Sequence, residues 1–190
     1  MTERQTPNEG EALVSEEIRG VTWDLEGPQL NPWQAAQRLY HAGFKDARVL
    51  AEMWATLEGE SARYLKAWHH NVLRDENGQI VRTGEGRLKI LSTDLGFIQR
   101  NVARDAPVAL LDEECATYAQ DLFVAHPDLA LGDKSAEIAW GLFKTRGFQP
   151  WYAHTNGHHR KHLGNACLAV GNFLAVAHGQ GGDYLQKRTR

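Results

Sequence analysis

The spacing of apolar and polar positions predicts two amphipathic helices in the first third of the chain. Apolar residues recur three and four positions apart over residues 31–43, which open with an Asn-Pro pair, and again over residues 46–57. This spacing places apolar side chains on one helix face, and Asn followed by Pro is typical of a helix start. We expect the second helix to stop at Gly59, immediately before Glu60.

The middle of the chain carries turn signals instead of a helical period. Asn77-Gly78 lies between short apolar pairs at positions 72–73 and 80–81. An Asn-Gly pair between apolar runs is the strongest short-range indication of a β-hairpin. We therefore predict a hairpin here and a further short strand over residues 88–91.

Helical spacing returns in the last part of the chain and predicts helices over residues 112–124, 135–146 and 161–177. Helices, a small β region and more helices in this order indicate an α+β domain with a cleft between its two parts. We place this domain at residues 31–178. Residues 1–30 are expected to form an acidic extended arm with a short helical turn near 13–18, and residues 179–190 a basic tail.

Composition excludes several classes of partner. The net charge of −3 argues against nucleic acid, which proteins bind through concentrated Lys and Arg. No apolar run is long enough to predict membrane insertion, and the N-terminus lacks a signal-peptide pattern, so we expect the chain to be made in the cytoplasm. Two cysteines do not form a disulfide framework, and we expect Cys167 to be a small core residue.

A histidine cluster over residues 154–162 raises the question of a metal site. Three of its histidines are four positions apart, which would place them on one face of a helix. Asn156-Gly157 is expected to break such a helix, and no carboxylate or cysteine lies close in sequence. We predict no metal and no cofactor.

Two carboxylates carry the chemistry that the sequence suggests. Glu60 is expected at a helix C-terminus in apolar surroundings, and both conditions raise the pKa of a carboxyl group. Asp94 lies among small polar residues, where a carboxylate stays charged. Such a pair can cleave a glycosidic bond. Alternatives remain: Glu60 could be a surface acid, Glu58 could take its role, and Asp94 could cap a helix beginning near Leu95.

Glu60-Ser61 together with STDLGFIQRN at residues 92–101 resembles the paired motifs of the chicken-type lysozymes. The resemblance implies that Glu60 is the general acid and that Asp94 stabilises or attacks the glycosyl centre. It further implies that Ser61, Gln99 and Asn101 contribute to the substrate-binding site. The chain departs from that family in the longer separation of its two motifs and in lacking the family's disulfide cysteines.

A second segment, RGFQPWYAHTNGHHRKHL at residues 146–163, resembles the bacterial and phage lysozyme-like and lytic transglycosylase domains. By this resemblance Trp151, Tyr152 and Thr155 border the cleft. Trp68, Trp151 and Tyr152 also interrupt polar sequence, where a flat ring can stack on a sugar.

Together the resemblances imply a mostly helical lysozyme-like fold and a muramidase, which hydrolyses the β-1,4 bond between N-acetylmuramic acid and N-acetylglucosamine in peptidoglycan glycan strands. A phage endolysin or virion-associated enzyme, delivered to the wall in a virion or through a holin, is the expected setting. Two alternatives stay open. One is a lytic transglycosylase that uses Glu60 alone and forms 1,6-anhydro products, and the other is a non-catalytic virion or wall-binding protein.

Overall fold

The two predicted N-terminal helices are present in the structure, a computed structural model that describes residues 19–179. Helix α1 spans Pro32–Ala42, and the Asn31 side chain accepts a hydrogen bond from the Gln34 backbone N–H. Helix α2 spans Ala47–Ser61, and its N-terminus is capped by Asp46. The predicted stop at Gly59 is wrong, because α2 continues through Gly59 and Glu60 to Ser61.

The β region is larger than the sequence predicts. Four antiparallel strands follow the order β1-β2-β3-β4 and span Trp23–Asp24, Trp68–Val72, Leu88–Leu95 and Arg100–Leu110. The Asn77-Gly78 turn forms, with Gly78 N–H donating to the Asp75 carbonyl. Its flanks pair over a short stretch: Arg74 and Ile80 form an isolated bridge, and backbone hydrogen bonds join Asp75 to Gln79 and Val81 to Leu73. Strand β2 itself pairs with β3.

No helix begins near Leu95. The chain turns over residues 96–99 and re-enters the sheet as β4, so Asp94 lies within a strand and caps no helix. Gly96 makes this turn possible: its φ is +74°, and a Cβ there would lie well inside van der Waals distance of the Leu129 carbonyl oxygen.

The last part of the chain is helical, as predicted, with shifted boundaries. Helices α3, α4, α5 and α6 span Cys115–Ala125, Gly132–Arg146, Tyr152–Thr155 and Leu163–Ala177, and short 3₁₀ turns occupy Asp112–Glu114, Pro127–Ala130 and His158–His162. The core lies between α2 and the other helices and includes Leu39, Met53, Leu57 and Phe97. The prediction for Cys167 is wrong: it is exposed on α6, and Cys115 is the buried cysteine.

Part of the predicted acidic arm belongs to the domain. Residues 23–24 form β1, and the Glu26 carboxylate accepts hydrogen bonds from the side chains of Trp68 and Gln120. The predicted helical turn near 13–18 and the tail beyond 179 lie outside the described residues. Within residues 19–179 the fold is α+β, as predicted, and none of its helices has the length and apolar composition that a bilayer crossing requires.

Candidate functional site

An open groove of about 480 Å³ separates the end of α2 from the sheet. Gly59 and Glu60 of α2 and Tyr152 of α5 form its helical side. The other lining residues belong to strands β1, β2 and β3 and to the loops beside them. They are Trp23, Asp24, Leu25, Ala67, Trp68, His69, Asn71, Asp94 and Gln99. The two predicted catalytic carboxylates, Glu60 and Asp94, therefore line the same groove.

Glu60 lies in the last turn of α2 and is half-buried. Burial raises the pKa of its carboxyl group, and the negative charge of Asp94 raises it further. The backbone N–H of Ala153, which donates to Glu60 Oε1 at 2.6 Å, opposes this change, as does His69. Burial is the largest of these effects, so Glu60 keeps its proton to higher pH than an exposed glutamate does.

Gly59 allows α5 to approach Glu60 closely. A Cβ at position 59 would lie 3.0 Å from the Ala153 Cβ, a distance at the tight limit for carbon atoms. The glycine thus brings the Ala153 N–H within hydrogen-bonding reach of the carboxylate.

Asp94 lies on β3 and is held by side-chain amides from both neighbouring strands. Asn71 Nδ2 of β2 donates to Asp94 Oδ2 at 2.9 Å, and Asn101 Nδ2 of β4 donates to Oδ1 at 2.8 Å. His69 Nδ1 lies 3.8 Å from Oδ2. Donors aimed at both oxygens fix the orientation of the Asp94 carboxylate.

Ser61 and Trp151 are buried and link the groove walls to each other. The Ser61 hydroxyl donates to the Phe97 carbonyl at 2.7 Å, and Trp151 Nε1 donates to the Ile98 carbonyl at 2.9 Å. Both residues therefore fasten the 96–99 turn to the helices. Neither side chain lines the groove, where the sequence had suggested substrate contacts.

The other predicted substrate-binding residues are more exposed. Gln99 lines the groove with a positive φ of 49°, and its side-chain amide donates to the Gly96 carbonyl at 2.8 Å. Tyr152 also lines the groove and is 75 % exposed, so its ring is available for stacking. Asn101 reaches the site through Asp94, whereas Thr155 is exposed outside the groove and donates to the Tyr152 carbonyl.

The residues at the site that were missed from the sequence include Trp23, Asn71 and Ala153, whereas His69 lines the groove, as the sequence suggested for the pair His69-His70. Trp23, half-buried in the groove, takes the place expected for Trp68, which is 1 % exposed. His70, expected beside His69 at the cleft, is buried instead, because successive residues of β2 face opposite sides of the sheet. The same alternation could have indicated Asn71, which lines the groove with His69. No local pattern marks Ala153, which acts through its backbone.

Glu58 and the histidine cluster lie outside the groove. Glu58 Oε2 lies 2.7 Å from Arg63 Nη1, so this carboxylate forms an ion pair behind the site. Among residues 19–179, no group of three or more His, Cys, Asp or Glu side chains is arranged to hold a metal ion. The histidines of the cluster instead stack on one another and on Phe148.

Comparisons with known proteins add no assignment. The chain matches no protein-family model, no curated protein and no solved structure.

Proposed function

We propose that the protein is a muramidase with a lysozyme-like fold, which hydrolyses the β-1,4 bond between N-acetylmuramic acid and N-acetylglucosamine. One observation carries the proposal: Glu60, whose pKa is raised chiefly by burial, and Asp94, held by two amides, line one open groove. Two carboxyl groups in such contrasting environments suit acid-catalysed glycoside cleavage.

Each carboxyl group has a distinct part in this mechanism. Glu60 Oε1 accepts the Ala153 N–H, which leaves Oε2 to carry the proton that passes to the glycosidic oxygen. As the C–O bond breaks, Asp94 stabilises or attacks the positively charged glycosyl centre. Glu60, now a carboxylate, then takes a proton from the incoming water, which restores both groups.

The groove walls offer suitable contacts for a sugar chain. Tyr152 of α5 and Trp23 of β1 both line the groove, and flat aromatic rings stack on sugar faces. A second depression of about 500 Å³ runs beside β4 from Arg100 to Ala103, directly after the groove residue Gln99. In this proposal the depression receives further sugar units of the same glycan strand.

The test measures loss of turbidity of purified cell walls and analyses the products by mass spectrometry. Glu60→Gln keeps an acceptor for the Ala153 N–H but has no acidic proton to transfer to the leaving oxygen, so we expect activity to fall roughly 10²–10⁴-fold. Glu58→Gln is the matched control, because Glu58 lies on the same helix as Glu60 but outside the groove, where it pairs with Arg63. It should stay near wild-type activity.

Each other outcome has a defined meaning. Wild-type activity in Glu60→Gln, or no cleavage of any wall by the native chain, would refute the proposal. Products that end in 1,6-anhydro sugars would show that the protein is a lytic transglycosylase and not a hydrolase. Substantial activity in Asp94→Asn would point to the same single-glutamate mechanism.

A further inference from the structure

A stack of three rings lies behind the backbone segment that contacts Glu60. Phe148 and His154 are parallel within 5° with centroids 4.0 Å apart, and His154 and His159 within 11° at 4.2 Å. His159 is only 7 % exposed. These three rings have no role in the muramidase mechanism proposed above.

His159 touches the peptide group next to the one that binds Glu60. Its Nδ1 lies 3.3 Å from the Ala153 carbonyl oxygen, and since a carbonyl only accepts, Nδ1 must carry the proton. Ala153 is therefore held on two sides: its carbonyl accepts from His159, and its N–H donates to Glu60 Oε1 at 2.6 Å.

We propose that His159 is a positioning residue for Glu60: its Nδ1–H holds the Ala153 carbonyl and so keeps the Ala153 N–H on the Glu60 carboxylate. The stacked His154 ring fixes the plane of His159, and Phe148 closes the other side of the stack. The catalytic consequence rests on the proposed function, whereas the positioning itself does not.

Several charged and titratable groups lie around this segment, among them Glu52 of α2 and the Arg160, Lys161 and His162 side chains of the 3₁₀ turn. His154 faces His159 in the stack, and its Nε2 lies 3.8 Å from Glu52 Oε2 on α2. Burial, the neighbouring His159 and Arg160 lower the pKa of His154, and Glu52 opposes them. The charges that act on Glu60 itself are those of Asp94 and His69. A change in the titration of Glu60 after substitution of His159 would thus report chiefly on the Ala153 hydrogen bond.

The direction of that change follows from the bond. Because the Ala153 N–H lowers the pKa of Glu60, displacing it should raise this pKa further. His159→Phe keeps a flat ring against His154 but has no donor. His159→Asn loses the ring and the ionisable group, yet its amide lies where Nδ1 was and still donates.

The experiment follows the carboxyl ¹³C resonance of Glu60 against pH in the full chain. We expect the midpoint to move to higher pH in His159→Phe and to stay at the wild-type value in His159→Asn. His158→Phe is the control, since His158 is exposed and stacks on His162 at 5.9 Å. An unchanged midpoint in His159→Phe, or an equal change in His159→Asn, would overturn the inference.

A measurement on the native protein guards against variants that do not fold. Imidazole ¹⁵N shifts report which nitrogen carries the proton, and neutral His159 must be protonated on Nδ1. A proton on Nε2 alone would refute the positioning role without any substitution.

These readouts need no substrate, so they separate this inference from the proposed function. If walls are cleaved, His159→Phe should lower kcat with little change in KM and move the basic limb of the pH profile upward, and His159→Asn should restore both. If the titration midpoints move as expected but no cell wall is cleaved, the positioning role of His159 stands and the proposal of a muramidase is refuted.

Discussion

His70 provides a direct test of the packing beneath the groove. The ring is 1 % exposed; Nε2–H donates to the Cys115 carbonyl at 3.1 Å, and the Thr93 hydroxyl donates to Nδ1 at 2.9 Å. Burial lowers the pKa of His70 from 6.5 to about 4, against the opposing bond to Cys115. The folded protein therefore keeps this imidazole neutral in a pH range where the unfolded chain protonates it.

The sign and size of the effect follow from that difference. Above pH 6.5 both states are neutral and His70 adds no pH dependence. As pH falls from 6.5 towards 4, the unfolded state takes up a proton that the folded state does not, so stability decreases. At about 1.36 kcal/mol per pKa unit, the loss reaches about 3 kcal/mol near pH 4.

The assay is urea unfolding followed by tryptophan fluorescence at several pH values, comparing the native chain with His70→Gln. Between pH 7 and pH 4 the native chain should lose about 3 kcal/mol more free energy of unfolding than His70→Gln does, because only the native chain carries the buried imidazole. With m-values of about 1–3 kcal/mol/M, the relative midpoint moves on the order of 1–3 M urea.

Thr93→Val is the matched control for this experiment. It removes the hydroxyl that donates to His70 but leaves the imidazole buried, so it should lower stability at every pH and keep the pH dependence. A difference between the native chain and His70→Gln that stays constant from pH 7 to 4 would refute the reasoning.

Three further substitutions test the groove walls by thermal unfolding. Ser61→Ala should cost about 1–3 kcal/mol, because it leaves the buried Phe97 carbonyl without its donor; a smaller loss would mean that water replaces the hydroxyl. Gly96→Ala should cost at least about 2 kcal/mol, since it combines a positive φ with a collision against the Leu129 carbonyl; wild-type stability would contradict this geometry. Glu60→Gln should be more stable than the native chain at neutral pH, because a carboxyl group whose pKa is raised by folding lowers the stability of the folded state once it ionises. This difference should vanish below pH 4.5, where Glu60 is protonated in both the folded and the unfolded state. Equal stability at neutral pH would argue against burial of the charge.

The helices were largely predictable because their signals are local. Asn31 and Asp46 cap α1 and α2 within the first turn of each helix, and the apolar spacing of α2 faces the core. The end of α2 was not predictable in this way. A glycine at position 59 suggests a stop, but packing against Ala153 and the hydrogen bonds of Ser61 carry the helix two residues further.

Strand β4 was missed because its sequence has no alternation to detect. Most of its residues are exposed, and the strand contains Pro107 and charged residues, as expected at a sheet edge. Its position is set by pairing with β3 across the Gly96 turn. Pairing partners are non-local, so periodicity does not reveal them.

The sequence by itself determined the helices with strong caps, the α+β class and the two carboxyl groups worth testing. Tertiary structure decided what surrounds those groups. Ala153 is 93 positions from Glu60, and Asn71 is 23 positions from Asp94, yet each donates directly to its carboxylate. Residue type and spacing select a side chain with suitable chemistry, but burial and hydrogen bonding, which set its proton affinity, arise only when distant segments pack together.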